Sequence, residues 1–424
     1  MKKSVLCAQV ALFLGLGSAA AFSQVSFKAV KVPGASPNTP IAINNKGEVM
    51  VNTSTTSSYQ LSTWSRLNGT RSISIVGTNN GGIAINNSSD IVGSGSPDSS
   101  PATDAYLWSG STQWLPSLGG DLSAAKGIND SGTIVGFSYT AATQQHAFEW
   151  SLSGGLIDLT PSLTSIGGAT ATSINASGQV AGYYYPNGSN RPLGFLWTNA
   201  DGLQNIGVPG TLAYAINTSG TVVGQSPNAS GLKHAFSWTS TGGIQDLGTL
   251  GGTSSSALDI NKLGWIVGSS LTSSTTGLPH GFLWTATSGM RDLATIGGLG
   301  ANQVPYSMQI NDFGVIAVSS NGGGYVLVPI MNSTVSSSAN PSVVGQAVTF
   351  TATVNSIAGP PPDGEPIQFV VSGVVAGTVP LQAGVARFTT SSITVGTHAV
   401  VAKYNGDANY LPAKYTATTQ VVNP

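Results

Sequence analysis

The chain is poor in charge, nearly free of cysteine, and without a long apolar run in its body. Lys plus Arg number 15 and Asp plus Glu 16 in 424 residues, or 7% charged, against roughly 25% in average soluble proteins. A polyanion binder needs clustered basic residues, so nucleic acid is excluded as a partner. The single cysteine, Cys7, lies in an N-terminal stretch with the marks of a secretory signal: Lys2 and Lys3, an apolar run from Val5 to Leu16, then Ala19-Ala20-Ala21. Residues 1–24 are therefore read as a signal peptide, the apolar run being short of the roughly 20 residues a membrane span needs. The chain that remains has no cysteine, hence no disulfide, thiolate or Cys–zinc chemistry, and no membrane span. Gly (55) and Pro (22) together make about 18% of the chain, below the roughly 25–30% that marks low-complexity disorder. Forty per cent hydrophobic residues and eight Trp argue for packed cores in a turn-rich, all-β protein.

What is abundant is repetition. IAINNKGEVMVN from Ile41 is followed by related segments around Asn86, Asn129, Asn175, Asn217, Asn261 and Asn311, at separations of 42, 43, 46, 42, 44 and 50 residues. Periods in the forties mark four-stranded propeller blades. In each unit a strand ends in Ile-Asn. A tight turn follows, with glycine three positions after the Asn at Gly47, Gly132, Gly178, Gly220, Gly264 and Gly314. Both residue types tolerate the left-handed backbone that short hairpins use. A Val/Ile strand, a variable Ser/Thr/Pro loop, and a third strand ending at Trp108, Trp150, Trp197, Trp238 or Trp284 come next. A fourth strand reads GIQDLGTLGG from Gly243 or GMRDLATIGG from Gly289. The first unit keeps only Trp64 of the aromatic strand, and the seventh replaces it with GYVLV. The seventh unit lacks a fourth strand, and VSFKAVKV from Val25 has no unit of its own, so the two complete each other. Residues 25–330 thus average about 44 per unit over seven units. The expectation is a closed seven-bladed β-propeller, which hides its sheet edges. Its rival is an open solenoid, for which no capping ends are visible.

These units, with HAF at His146 and His234 and the Ile-Asn-x-x-Gly-x-Val-x-Gly segment, resemble the HAF-repeat family of bacterial extracellular proteins over residues 41–330. The resemblance implies export and repetition and brings no catalytic residues. Beyond Ile330 the period vanishes. Residues 332–424 hold about seven alternating strands, including AVTFTATV from Ala347 and HAVVAKY from His398, which read as an immunoglobulin-like β-sandwich without a disulfide. With YNGDANY at Tyr404–Tyr410, this segment resembles bacterial Ig-like domains, which implies a spacer or adhesive module.

His146, His234 and His280 share one position, four residues before the Trp. They lie in different units, so they read as structural hydrogen-bonding groups rather than a metal site. The Trp series reads as inter-blade core. Trp114 and Trp265 break the pattern and are candidates for exposed stacking, as is the run Tyr183-Tyr184-Tyr185. The acids are scattered at turns; Asp246 and Asp292 share a repeat position, and Asp407 reads as a turn residue. GTLGG at Gly248 is no P-loop, since no GK[ST] follows. No catalytic residue, metal or cofactor is expected. The functional expectation is an exported, non-catalytic binding or scaffold protein, secreted or at the cell surface, with its ligand held by variable loops. Polysaccharide or a neutral protein surface suits such uncharged loops. A surface-layer or matrix component without a ligand, and a glycan-active hydrolase or lyase with its site in the propeller mouth, are the alternatives.

Overall fold

The computed structural model describes residues 26–54, 59–97, 102–164, 167–273, 277–300 and 302–424. The segment read as a signal peptide lies outside them, as do parts of three variable loops, residues 55–58, 98–101 and 274–276. Seven four-stranded antiparallel sheets make a propeller, followed by a sandwich of a four- and a five-stranded sheet. Blades 1 to 6 each use four consecutive strands; blade 1, for example, comprises Ile41–Ile43, Val49–Ser54, Tyr59–Ser65 and Gly69–Ile73. Blade 7 takes its inner three strands from Pro305–Ile310, Ile316–Ser320 and Gly323–Pro329 and its outer strand from Phe27–Val32. Six consecutive pairs, from Phe27–Pro329 to Val32–Gly324, join that strand to the blade. The ring is therefore closed as the unit count implied.

The repeated Asn plays a role that a single repeat does not display. None of the seven is among the described non-glycine residues with left-handed backbone; that conformation falls on the glycine three positions on, as at Gly132 (φ 79°) and Gly178 (φ 78°). The Asn Oδ1 instead accepts the turn's own N–H groups, Ser177 and Gln179 in the case of Asn175, at 3.1 and 3.0 Å. Its Nδ2 donates to the carbonyl of the corresponding Asn in the next blade. Asn44 bonds Asn86, Asn86 bonds Asn129, and so on through Asn261 to Asn311, which returns to Asn44 at 3.1 Å. Seven buried amides thus form a continuous belt at one end of the ring.

A second repeated feature aims residues at the axis. In blades 2 to 6 the inner strand carries a bulge at Ile83, Lys126, Thr172, Tyr214 and Leu258. The bulge drives a carbonyl into the second strand: a Cβ on Gly136 would lie 2.0 Å from the Ala124 oxygen, and one on Gly224 2.0 Å from that of Leu212. Only glycine fits there. Blades 1 and 7 carry no bulge at this position and hold Val51 and Val318 in place of the glycine.

Tyr106, Phe148, Phe195, Phe236 and Phe282 are fully buried on the third strand, and each packs on the preceding blade. The Trp positions complete the inter-blade cores, as expected: Trp64, Trp108 and Trp150 are buried and Trp197, Trp238 and Trp284 half-buried. The fourth strands are shorter than the sequence suggested, ending at Asp246 and Asp292. Each Asp turns the chain by accepting an N–H two residues on, from Gly248 and Ala294, and the latter begins one helical turn, Leu293–Ile296.

The sandwich core is formed by residues including Val348, Phe350, Ile367, Phe369, Val400 and Tyr404. Met331, between the two expected segments, is wholly buried in it. The sandwich rests on the Asn end of the propeller at blades 7 and 1. Asn409 accepts from Asn311 Nδ2 at 2.7 Å and donates to the Asn45 carbonyl at 2.9 Å. Arg66 donates to the carbonyls of Asp407 and Tyr410, and Tyr410 meets Phe313 edge-on at 6.0 Å. Asp407 itself accepts the N–H groups of Asn409 and Tyr410, the turn role expected of it.

Candidate functional site: the loop face and axial channel

Antiparallel alternation puts the Asn turns and the third-to-fourth turns at one end of the ring. The variable loops and inter-blade connections lie at the other, the loop face. With the Ig-like domain on the Asn end, the loop face is the one left open.

The tyrosine run sits at the loop-face end of the second strand of blade 4, and alternation divides it. Tyr184 turns into the core between blades 3 and 4, and its hydroxyl donates to Asn205 Oδ1 at 2.9 Å. Tyr183 and Tyr185 share the other side, edge-on to one another at 6.5 Å. Their influence reaches Tyr214, the bulged residue of blade 5, whose hydroxyl is pushed up to about 12, first by burial and then by these two neighbours. Sequence reasoning singled out the run Tyr183-Tyr184-Tyr185 as a candidate but not Tyr214, which lies at the bulge of blade 5 and lines the axial channel.

Tyr214 lines the axial channel with Lys126, Thr172 and Asp259, around a space of about 170 Å³. Burial lowers the Lys126 ammonium from its ordinary value; the amine lies 5.5 Å from the ring centre of Phe137. Burial raises the Asp259 carboxyl to about 7, against the opposing pull of the Ile310 and Ile260 N–H groups. Both of its oxygens are engaged, Oδ1 by Ile260 N–H at 2.9 Å and Oδ2 by Ile310 N–H at 2.8 Å. The same inter-blade place is held by Ser173, accepting from Ile216, and by Gln309, accepting from Ile43. Asp259 is thus a bridge between blades.

The histidines pair within their own blades. His146, His234 and His280 each meet the last residue of the fourth strand, Asp158, Asp246 and Asp292, at 2.7, 2.9 and 2.7 Å. His146 also contacts the Leu163 carbonyl at 2.9 Å. Each pair ties a third strand to a fourth. Among the described residues no three His, Cys, Asp or Glu side chains gather as metal ligands.

Trp114 and Trp265 are half-buried, not exposed platforms. Trp114 stands where other blades have the paired Asp, which turns it onto Tyr106 at 5.8 Å within the core of blades 1 and 2. Trp265 packs into the core of blades 6 and 7 beside the turn glycine Gly314. A larger cavity, about 660 Å³, opens beneath blade 1 on the loop side. No residue lining it was singled out from the sequence.

Residues 335–423 match the family Bacterial Ig-like domain (group 3). No curated protein matches the chain. Similar solved structures include a streptogramin B lyase, with 12% identity and TM-score 0.45 over 73% of this chain and all of that one. A virginiamycin B lyase from Staphylococcus aureus has 11% identity and TM-score 0.46, over 71% of this chain and 98% of that one. The extracellular domain of a hybrid two-component system from B. thetaiotaomicron has 10% identity and TM-score 0.45, over 92% of this chain and 56% of that one. The propeller is shown by the strand order of its seven four-stranded sheets. Among the described residues no helix is long and apolar enough to cross a membrane.

Proposed function

We propose that the protein is an exported, non-catalytic binding or scaffold protein that engages an uncharged partner, a polysaccharide or a neutral protein surface, through the loop face of its propeller. One observation carries the reading: the Ig-like domain is fastened to the Asn end, while an aromatic group of Tyr183, Tyr185 and Tyr214 lies toward the open end. Amphipathic rings held on a rigid scaffold suit ligands that offer apolar faces and hydroxyls together. The titratable groups support a non-catalytic role, because each His–Asp pair joins strands of one blade and Asp259 bridges two. Export is supported by the N-terminal signal pattern and by the resemblance to extracellular HAF-repeat proteins.

The test is a pull-down of the mature chain on immobilised neutral polysaccharides and on cell-surface material, at low and high salt. The double variant Y183S/Y185S is expected to lose retention, and salt to have little effect. Retention that survives the double variant but collapses in salt would overturn the reading. Turnover of a glycan by the purified protein would instead establish a hydrolase or lyase in the propeller mouth.

A further inference from the structure

We propose that the cavity beneath blade 1 is a binding site for a neutral saccharide. The inference rests on the reading of the loop face as a binding surface and names a second contact and its ligand class. Its basis is what blade 1 omits. The strand pairing aligns Ser62 with the positions of Tyr106, Phe148, Phe195, Phe236 and Phe282, all at most 1% exposed. Gln60 stands where other blades have His146, His234 and His280. Ser72, paired with Ser62, stands where they have Asp158, Asp246 and Asp292. A large ring and an ion pair are thus replaced in one blade by two hydroxyls and an amide. The space opened there is part of a 660 Å³ groove, bounded by Pro33 and Gly34 beyond the outer strand of blade 7 and by Asn79 and Asn80 of blade 2.

The chemistry of this wall is selective. Gln60, Ser62, Thr70 and Ser72 offer hydroxyls and an amide that can each donate and accept, beside the apolar Leu61 and Ile73, while the Thr53 hydroxyl donates to the Gly34 carbonyl of the same wall. The described lining residues include no charged side chain. An ionised ligand would lose hydration there without meeting a counter-charge. A sugar ring presents alternating donors and acceptors around its rim and C–H groups on its faces, and matches both components. The volume falls within the roughly 300–1,000 Å³ of small-molecule sites. Trp114 stands directly behind Gly77 of the wall: a Cβ there would lie 2.9 Å from Trp114 Cζ2.

Calorimetric titration of the mature chain with cellotetraose, maltotetraose, mannotetraose and xylotetraose, with a galacturonate trimer as the charged counterpart, tests this. At least one neutral tetrasaccharide is expected to bind, with no salt dependence, and the galacturonate not to bind. Ser62→Phe restores the ring of the other blades and obstructs the groove beside Gln60 and Ser72, so affinity should fall at least about tenfold. Q60A/S72A removes polar partners without filling the space and should weaken binding as well; it decides the matter if Ser62→Phe fails to fold. Leu152→Ser, a change at an 85% exposed residue on the Asn end, should bind as the parent does. Wild-type affinity in a folded Ser62→Phe protein, or failure of every tetrasaccharide to bind the parent, overturns the groove. Retention in the pull-down that depends on Tyr183 and Tyr185 would then leave the loop-face reading standing. Tetrasaccharide binding lost in Ser62→Phe but kept in Y183S/Y185S supports the groove even where the tyrosine contact fails.

Discussion

Two glycines in one hairpin of blade 3 answer to different physics. Gly132 has φ +79°, and a Cβ there would have no atom within 4 Å, so alanine meets only backbone strain, about 1 kcal/mol. Gly136 faces the Ala124 carbonyl at 2.0 Å from where a Cβ would sit, and alanine must push the bulge aside. Gly136→Ala should therefore cost more, about 1–3 kcal/mol or above, and denaturant titration of the two variants should rank them so. Equal losses would mean that the bulge yields freely. The Asn belt is a third case. Asn175→Ala strips acceptors from two part-buried N–H groups of the turn and a donor from the buried Asn217 carbonyl. Its expected cost is on the order of 3 kcal/mol, since buried groups left unpaired lose their full desolvation. A loss below about 1 kcal/mol would show that the belt adds little beyond the turns.

Blades joined by a carboxyl respond to pH in a direction that can be worked out. The Asp259 carboxyl is raised in the folded protein from 3.8 to about 7, chiefly by burial. Between those values the folded state holds the proton and the unfolded chain does not. The contribution to stability is therefore fully present below the lower value and is lost as pH rises through the upper one. Asp259→Ser places in blade 6 the residue type that Ser173 supplies in blade 4, and should flatten the profile between pH 3.8 and 7. A profile unchanged by the substitution would locate the titration elsewhere. At this scale the sequence was legible where a duty recurs inside each unit. The turn glycines, the Trp core and the closing strand followed from period and pattern. The second half of each Asn's work was not legible, because its partner lies in the next blade. The shortened fourth strands were missed because Asp246 and Asp292 act as turn acceptors, which their strand-like surroundings conceal. Tyr183-Tyr184-Tyr185 could be found as an odd aromatic run, whereas Tyr214 lies at the bulge of blade 5. The loss of the aromatic from the first unit was visible in the sequence, but the resulting groove depends on blade 7 lying alongside.

A closed ring has one seam, and here it is fastened twice. The first fastening is the Phe27–Val32 strand, whose Phe27 is wholly buried. Deleting residues 26–32 should lower the melting temperature of the entire propeller, and an unchanged melting curve would argue against closure by this strand. The second fastening is the sandwich. Asn409 takes a hydrogen bond from Asn311 of blade 7 and gives one to Asn45 of blade 1, while Arg66 grips the carbonyls on either side of it. Because the ring opens between the inner strands of blade 7 and blade 1, opening it must break the sandwich's bonds to one of the two as well as the Asn311–Asn44 link. The sandwich core is drawn almost wholly from residues 331–413, with Phe313 the propeller residue packed against it. Residues 331–424 should therefore fold when expressed alone, as circular dichroism would report. In the full chain, R66A/N409A should leave both domains folded yet lower the propeller's melting temperature and separate its transition from that of the sandwich. The isolated sandwich supplies the reference melting point for that comparison. If R66A/N409A leaves the calorimetric trace of the full chain unchanged, the contact joins the domains without bracing the seam.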